Sequence, residues 1–456
     1  MGDENLRVLN IVMYLFAALT IFFIFPQKNF VSTLYLPRLY ILYLFALFVS
    51  ITLFSFSSKG LSLYEYFRHK KTTFLLLICI SYIVWINIAD SMSFLPGYAF
   101  TGSEYLSFGG LALSSCLVVM LIYSKFIYIN KIISLFSFST LIVLIISFIE
   151  ALGFHPLSHW INNSGLTYPA VTIGLRQHLA GWFAMMSLAP LYFWRNKPTD
   201  PRFWIWMCSG LLGVALCKNS GATVGVVIGL FGWLIVSKGM KNLKSWITTL
   251  FFLLAVFTIP PAVKYIGTAM GLQSYDTKSY TSTNTFSTRL LLWRSALRAG
   301  VEHPIFGWGD ETFGWQVFEH LTEVEAQDLI RREAGVPSEN RIVHSEGIFY
   351  SFPKNGKGKG KNGVVLFVRP HNFIFDELYS HGFVGLLILL AFIVVLVRAF
   401  PNTDRAMFII GFLPYPLSLL TLFYVPTITP TFFILLGLAL ASSKISLTRV
   451  STNSVD

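Results

Sequence analysis

Charge is scarce in this chain: Asp, Glu, Lys and Arg make up 12% of its 456 residues, about half their share in an ordinary soluble domain. So few charges cannot cover a water-facing globular surface. With 54% hydrophobic and 16% aromatic residues, most of the chain is suited to lipid. Charge is absent from the middle of long runs such as 8–25, 132–149 and 383–397, each close to the roughly 20 apolar residues a bilayer-spanning helix needs. These runs do not alternate polar and apolar positions, which excludes a transmembrane barrel. Cysteine is also sparse: Cys79, Cys116, Cys208 and Cys217 lie in apolar runs with no CxxC pair, so they read as small packing residues. No Walker loop is present, and the first apolar run lacks a small-x-small cleavage pattern, so it is expected to be a retained helix.

Apolar runs centre on residues 8–25, 37–56, 73–89, 106–124, 131–150, 176–194, 203–217, 221–237, 246–266, 383–398, 405–423 and 427–443, about twelve spans in all. Lys and Arg mark the cytoplasmic side of such helices. Lys59, Arg68, Lys70 and Lys71 separate spans two and three; Lys125 and Lys131 separate four and five. Arg195, Lys197 and Arg202 follow span six, Lys238, Lys241 and Lys244 follow span eight, and Arg398 and Arg405 follow span ten. The intervening segments 90–105 and 151–175 carry no Lys or Arg, and Lys28 is a lone outer exception. Both termini are therefore expected in the cytoplasm. The net charge of +12 is explained by topology, and no nucleic-acid partner is expected.

The chain divides into spans one to nine (1–266), a large polar segment (267–381), and spans ten to twelve with a cytoplasmic tail (382–456). The polar segment carries twelve Lys/Arg and thirteen Asp/Glu, too long and too mixed for the charge rule to act on it directly. It is expected outside the cytoplasm. Within it, 288–300 reads as a helix with a Ser/Thr start and a Gly stop, and 319–332 as a second, polar helix. Residues 354–363, KNGKGKGKNG, read as a flexible cationic tip.

Candidate chemistry gathers near this segment. In Arg369-Pro370-His371-Asn372, Pro370 suits the first turn of the following helix, which places His371 near a positive helix end that disfavours imidazolium. A neutral histidine there suits a general base for a hydroxyl; a capping or packing histidine would leave the same local sequence. Arg289, Trp293 and Ala296 share one face of the 288–300 helix, and Arg294 with Arg298 another. Guanidinium forks suit phosphate oxygens, although Arg294 and Arg298 also fit snorkelling toward headgroups. Gly307-Trp308-Gly309 reads as a structural turn or, less specifically, as an anion-cradling loop. Arg176 opens span six and Lys218 fills the short turn between spans seven and eight. Each is either an interfacial anchor or part of an anion site at the outer face. No His, Asp and Glu spacing suggests a metal, and no cofactor is expected.

The order of these pieces resembles the O-antigen ligase and O-antigen polymerase superfamily of bacterial envelope glycosyltransferases. The residues that carry the likeness are Arg289 and Trp293, then Glu302-His303-Pro304-Ile305-Phe306-Gly307-Trp308-Gly309, then His371-Asn372, then Gly382-Phe383-Val384-Gly385, with Arg176-Gln177-His178-Leu179-Ala180 at span six. The resemblance implies an all-α polytopic membrane protein, GT-C-like, with about twelve transmembrane helices and one large extracytoplasmic loop, in the bacterial inner membrane. It implies a metal-independent transferase that moves a glycan from undecaprenyl diphosphate to an acceptor hydroxyl. In that reading His371 deprotonates the hydroxyl, Arg289, Lys218 and Arg176 hold the diphosphate, and Arg294, Arg369 and Asn372 line the substrate. The chain departs from the family at Lys218, where arginine is usual; lysine keeps the charge and loses the bidentate fork.

Transfer to a lipid A core would make the protein a ligase, transfer to a second lipid-linked repeat a polymerase; transfer to protein is a third outcome. The Lys354, Lys357, Lys359 and Lys361 tip suits a phosphorylated core, or equally a lipid headgroup. A flippase or permease should instead show mid-membrane charges and repeated halves, and neither is evident here.

Overall fold

The computed structural model describes residues 3–22, 36–57, 70–103, 106–124, 129–157, 169, 171–195, 199–237, 243–272, 285–345, 348–353, 360–365 and 367–452. Lys28, Lys59, Arg68, Lys125, Lys197, Lys238 and Lys241 of the orienting loops, and Lys354, Lys357 and Lys359 of the cationic tip, lie outside the described residues.

The apolar runs form helices because a backbone in hydrocarbon must satisfy its own N–H and C=O groups. In chain order these are α1 (Asp3–Phe22), α2 (Leu36–Ser57), α3 (Lys70–Ser91), α4 (Pro96–Thr101), α5 (Gly110–Tyr123), α6 (Ile129–Ala151), α7 (Arg176–Phe193), α8 (Pro201–Cys217), α9 (Ser220–Val236) and α10 (Leu243–Ala269). The polar segment adds α11 (Thr285–Glu302), α12 (Phe313–Gln316), α13 (Glu323–Ala334) and strands β1 (Arg341–Ser345), β2 (Ile348–Phe352) and β3 (Lys361–Val364). Then follow α14 (Phe373–Ala399), α15 (Asn402–Phe412), α16 (Pro414–Leu419) and α17 (Thr429–Thr452). Among the described residues, the apolar runs read from the sequence fall mainly on helix, with 106–109 and 420–423 outside it. Among the described residues, four stretches, Thr73–Ser91, Ile129–Ala151, Leu243–Ala269 and Phe373–Ala399, are long and apolar enough to cross a membrane by length and composition, and Ile11–Thr20, Leu36–Phe48, Gly110–Tyr123, Pro201–Cys217, Ser220–Val236 and Thr429–Ser443 are shorter apolar stretches.

Side chains set the helix ends. Asp200 accepts from the Arg202 N–H at 2.9 Å and Pro201 opens α8, a cap followed by a residue that needs no N–H partner. Lys218 turns the chain in the left-handed conformation (φ 48°, ψ 48°), and Asn219 caps α9 by accepting from the Ala222 N–H at 3.0 Å. The run 405–423 is not one helix: Pro414 opens a separate short helix, and residues 420–428 form turns. α7 packs on α8 and α15, α9 on α16, and α3 on α14. Trp182, Phe183, Trp206, Phe412 and Leu435 belong to the shared core.

The polar segment has a core of its own, formed by Leu292, Ala296, Phe313, Val317, Leu329, Ile330, Ile342, Phe349 and Tyr379. Its first helix runs past Gly300, which is not a stop. A Cβ on Gly300 would lie 2.8 Å from Leu378 Cγ and 3.2 Å from the Leu378 carbonyl oxygen, so this glycine lets α11 lie close on α14. The second helix starts later than the sequence suggests, at a Thr322–Glu325 capping box, and ends at left-handed Gly335. The strands form an antiparallel sheet in the order β1-β2-β3, which the helical reading of this segment did not anticipate. Lys361, assigned to the cationic tip, begins β3.

α14 begins ten residues before the expected span and is broken at Gly382 (φ 68°, ψ −171°). The break denies the Tyr379 and Ser380 carbonyls their helical partners. The loop after α11 takes that place: Trp308 and Gly309 N–H donate to these carbonyls at 2.8 and 3.0 Å, and Phe383 N–H donates to the Pro304 carbonyl at 2.8 Å.

Candidate functional site

His371 lies one residue before the cap of α14, because the first turn starts at Phe373 and Pro370 stands outside it. Asn372 is the cap; its Oδ1 accepts from Ile374 N–H at 3.0 Å and Phe375 N–H at 3.4 Å, while its Nδ2 donates to the Leu420 carbonyl at 3.1 Å. The side chain placed among the substrate contacts therefore ties the start of α14 to the 420–428 turn. His371 itself is left-handed, with φ 57°, a conformation that costs a β-substituted residue energy and persists when its surroundings hold it.

Those surroundings orient the ring. Nδ1 lies 3.0 Å from the Arg369 carbonyl; a carbonyl only accepts, so in the neutral ring Nδ1 carries the proton and Nε2 keeps the lone pair. Phe423 meets the ring edge-on, with centroids 4.9 Å apart. Packing around the ring and, second, the Arg289 guanidinium lower the imidazole pKa to about 4 against the opposing Arg369 carbonyl. Desolvation and a neighbouring cation keep the ring neutral. Arg289 remains a cation although burial lowers its pKa.

The other predicted cations arrive from α7 and α8. Arg176 is the first residue of α7, and it interacts electrostatically with Cys217, the neighbour of Lys218. His178, one residue beyond the Arg176-Gln177 pair, interacts with His371 and packs on the same Phe423 ring at 5.8 Å. Gly221 sits against Thr421 in the 420–428 turn. The turn thus gathers the starts of α7, α9 and α14, and Arg289 joins from α11.

Arg294 lies elsewhere. With Arg298 it pairs with Glu325 on the exposed side of α11, at 3.3 and 2.6 Å. The Arg298 contact, then bonds from Thr322, hold the Glu325 pKa down to about 2. Arg369 is buried beneath the site. It pairs with Asp376 at 2.6 Å, Asp310 at 3.2 Å and Glu311 at 3.7 Å, and donates to the Phe108 carbonyl at 2.6 Å. Burial opposes its charge, but Asp376, Asp310 and Glu311 outweigh it and raise the pKa further. Breaking such a buried network typically costs about 3–5 kcal/mol, so the chemistry of Arg369 is that of a scaffold supporting the His371 backbone.

The glycine turn is likewise occupied. Gly307 and Gly309 are left-handed, but the amides of Trp308 and Gly309 bond α14 carbonyls and that of Asp310 bonds Asp90 Oδ1 at 3.0 Å. The structural reading of the turn holds, and these amides are not free to cradle an anion.

Sequence reasoning missed the acidic groups under this loop. Asp310 is held below the usual carboxylate range: burial raises its pKa, but His381 and Arg369 together outweigh that. Glu311 is raised by burial, against Arg369 and the amides of Ser103 and Phe108. His381 Nδ1 lies 3.0 Å from Glu377, whose other oxygen accepts from the Tyr82 hydroxyl at 2.7 Å. One donor atom each of Asp90, Asp310 and His381 lies within 4.8 Å of the others, close enough to share a metal ion. The available signal was acidic residues at the margins of apolar runs, which are costly there without a task.

A search of curated proteins finds no match to this chain. The family model described as O-antigen ligase matches residues 205–390, a stretch from α8 into α14 that includes Lys218, Arg289, Arg369, His371 and Asn372. Residues 205–390 are thus similar to the O-antigen ligase family, in line with the resemblance carried by the motifs, within a nearly all-helical protein with apolar helices suited to a membrane.

Proposed function

We propose that the protein is a glycosyltransferase of the bacterial inner membrane, with about twelve spans and both termini cytoplasmic, that moves a glycan from undecaprenyl diphosphate to an acceptor hydroxyl at the outer face. The observation that carries this reading is the neutral His371 ring, fixed with Nε2 as acceptor beside the Arg289 cation. Nε2 takes the acceptor hydroxyl proton as the oxygen bonds the anomeric carbon. The bond from that carbon to the diphosphate oxygen breaks, and undecaprenyl diphosphate leaves with the electron pair. Arg289, Lys218 and Arg176 hold the diphosphate and offset the charge it gains. These cations supply that charge without a metal at the reacting centre. Arg369 and Asn372 act from beneath, by fixing the backbone on either side of His371. Arg294, paired with Glu325, contributes to the fold of the loop.

A lipid A core is the preferred acceptor, on the strength of the lysine-rich tip at 354–361; a second lipid-linked repeat is the alternative. The test is a transfer assay with protein purified in detergent and a lipid-diphosphate glycan donor, offered either acceptor. Glycan appearing on the core supports a ligase, and extended glycan on the lipid supports a polymerase. An intact donor with both acceptors would overturn the reading.

A further inference from the structure

We propose that Asp90, Asp310 and His381 form a binding site for one divalent transition cation of the zinc or manganese class, tying α3, the loop after α11 and α14 together. The three residues are 0%, 3% and 1% exposed. Asp90 Oδ2, Asp310 Oδ2 and His381 Nε2 are each buried without a hydrogen-bond partner, whereas buried polar atoms are ordinarily paired. His381 Nε2 and Asp310 Oδ2 lie 3.5 Å apart, and one donor atom of each of the three residues lies within 4.8 Å of the others.

Their spacing suits ligands better than hydrogen bonds. His381 Nε2 lies 3.5 Å from Asp310 Oδ2 and 3.8 Å from Asp90 Oδ1, beyond ordinary N–H···O contacts. Two ligands with bonds of about 2.0–2.2 Å at tetrahedral angles lie roughly 3.3–3.6 Å apart, which the Asp310 distance matches and the Asp90 distance slightly exceeds. The opposite ring nitrogen faces Glu377 Oε1 at 3.0 Å. A carboxylate behind a histidine in this way fixes the proton on Nδ1 and frees Nε2 for a metal. Glu377 is fixed in turn by the Tyr82 hydroxyl.

Charge supports the same conclusion. Five buried carboxylates, Asp90, Asp310, Glu311, Asp376 and Glu377, surround Arg369 and His381. A bound dication offsets the acidic excess. One imidazole and two carboxylates suit zinc or manganese, and fall short of the six to eight oxygens calcium takes. The ion acts as a brace, since its ligands come from elements separated by 220 and 71 residues and His371 is not among them. It lies outside the transfer step and does not depend on the reading of that step.

The full chain, purified in detergent, is stripped with EDTA, incubated with Zn2+ or Mn2+, desalted, and assayed for metal content and melting temperature. The parent is expected to retain one ion per chain and to melt higher with it. Asp90→Asn and His381→Gln are expected to retain none and to show no metal-dependent rise. No retained metal in the parent, or undiminished retention in a folded variant, would overturn the site. If neither variant folds, X-ray absorption of the zinc-loaded parent decides: one imidazole with oxygen ligands supports the site, and sulfur or several imidazoles contradicts it.

Discussion

At the scale of single residues, the working pH of the site follows from what surrounds His371. A base must be neutral, and with its pKa lowered to about 4 it stays neutral throughout the ordinary range. Its activity is lost only as pH falls through about 4, instead of near the usual histidine value of roughly 6.5. Arg289 is one cause of that shift, so Arg289→Gln moves the acid limb of the pH–rate profile upward. Arg289→Lys leaves the limb in place while the rate falls, because a point charge cannot reproduce two parallel bonds to phosphate. Rates measured from pH 3.5 to 8 for the parent and both variants check this; one unchanged limb in all three would contradict the pairing. His371 stood out in sequence because Pro370, Asn372 and the apolar run mark a helix start, and Arg289 because it shares one face of the 288–300 helix with Trp293 and Ala296. The acidic groups beneath were not. Asp90 and Asp310 are 220 residues apart, and no local pattern records that a fold will join them.

Among the elements, the contact between α11 and α14 sets how closely Arg289 and His371 are held. Gly300 makes that contact possible, and Ala there would press on Leu378 Cγ and its carbonyl at 2.8 and 3.2 Å. Overpacking of this kind costs about 1–3 kcal/mol, more than the roughly 0.5–1 kcal/mol alanine gains over glycine in a helix. Gly300→Ala is therefore expected to lower both the melting temperature and the transfer rate, whereas Gly335→Asn, at an open left-handed cap, leaves the rate unchanged. A Gly300→Ala protein with parental melting and rate would contradict the close approach. The helix at α11 was legible from its Ser/Thr start, but Gly300 was taken for punctuation because a glycine needed for packing looks the same as one that ends a helix. Gly382 was hidden in a similar way. Its break is recorded only in the tertiary pairing of Trp308, Gly309 and Phe383 with their partners across the loop. The β-sheet escaped because its strands are short: β1 and β2 alternate burial over only a few residues, and β3 has no buried residue.

For the whole molecule, the helical membrane class followed from composition, since long uncharged runs leave few other structures open. The side of the membrane follows from cations flanking the polar segment. Lys238, Lys241 and Lys244 precede it, and Arg398 and Arg405 follow it; cationic loops of this kind are retained in the cytoplasm, so 267–381 is expected on the outer side. Alkaline phosphatase, active only outside the cytoplasm, is expected to be active when fused within 354–363 and inactive when fused after Arg398. The reverse pattern would place His371 opposite a flipped lipid donor. The most direct measurement is glycan transfer by purified His371→Ala beside the parent, with lipid-diphosphate donor and acceptor supplied and melting temperature recorded for both. A folded His371→Ala protein that leaves the donor intact is the predicted result, and transfer at the parental rate would contradict His371 as the base.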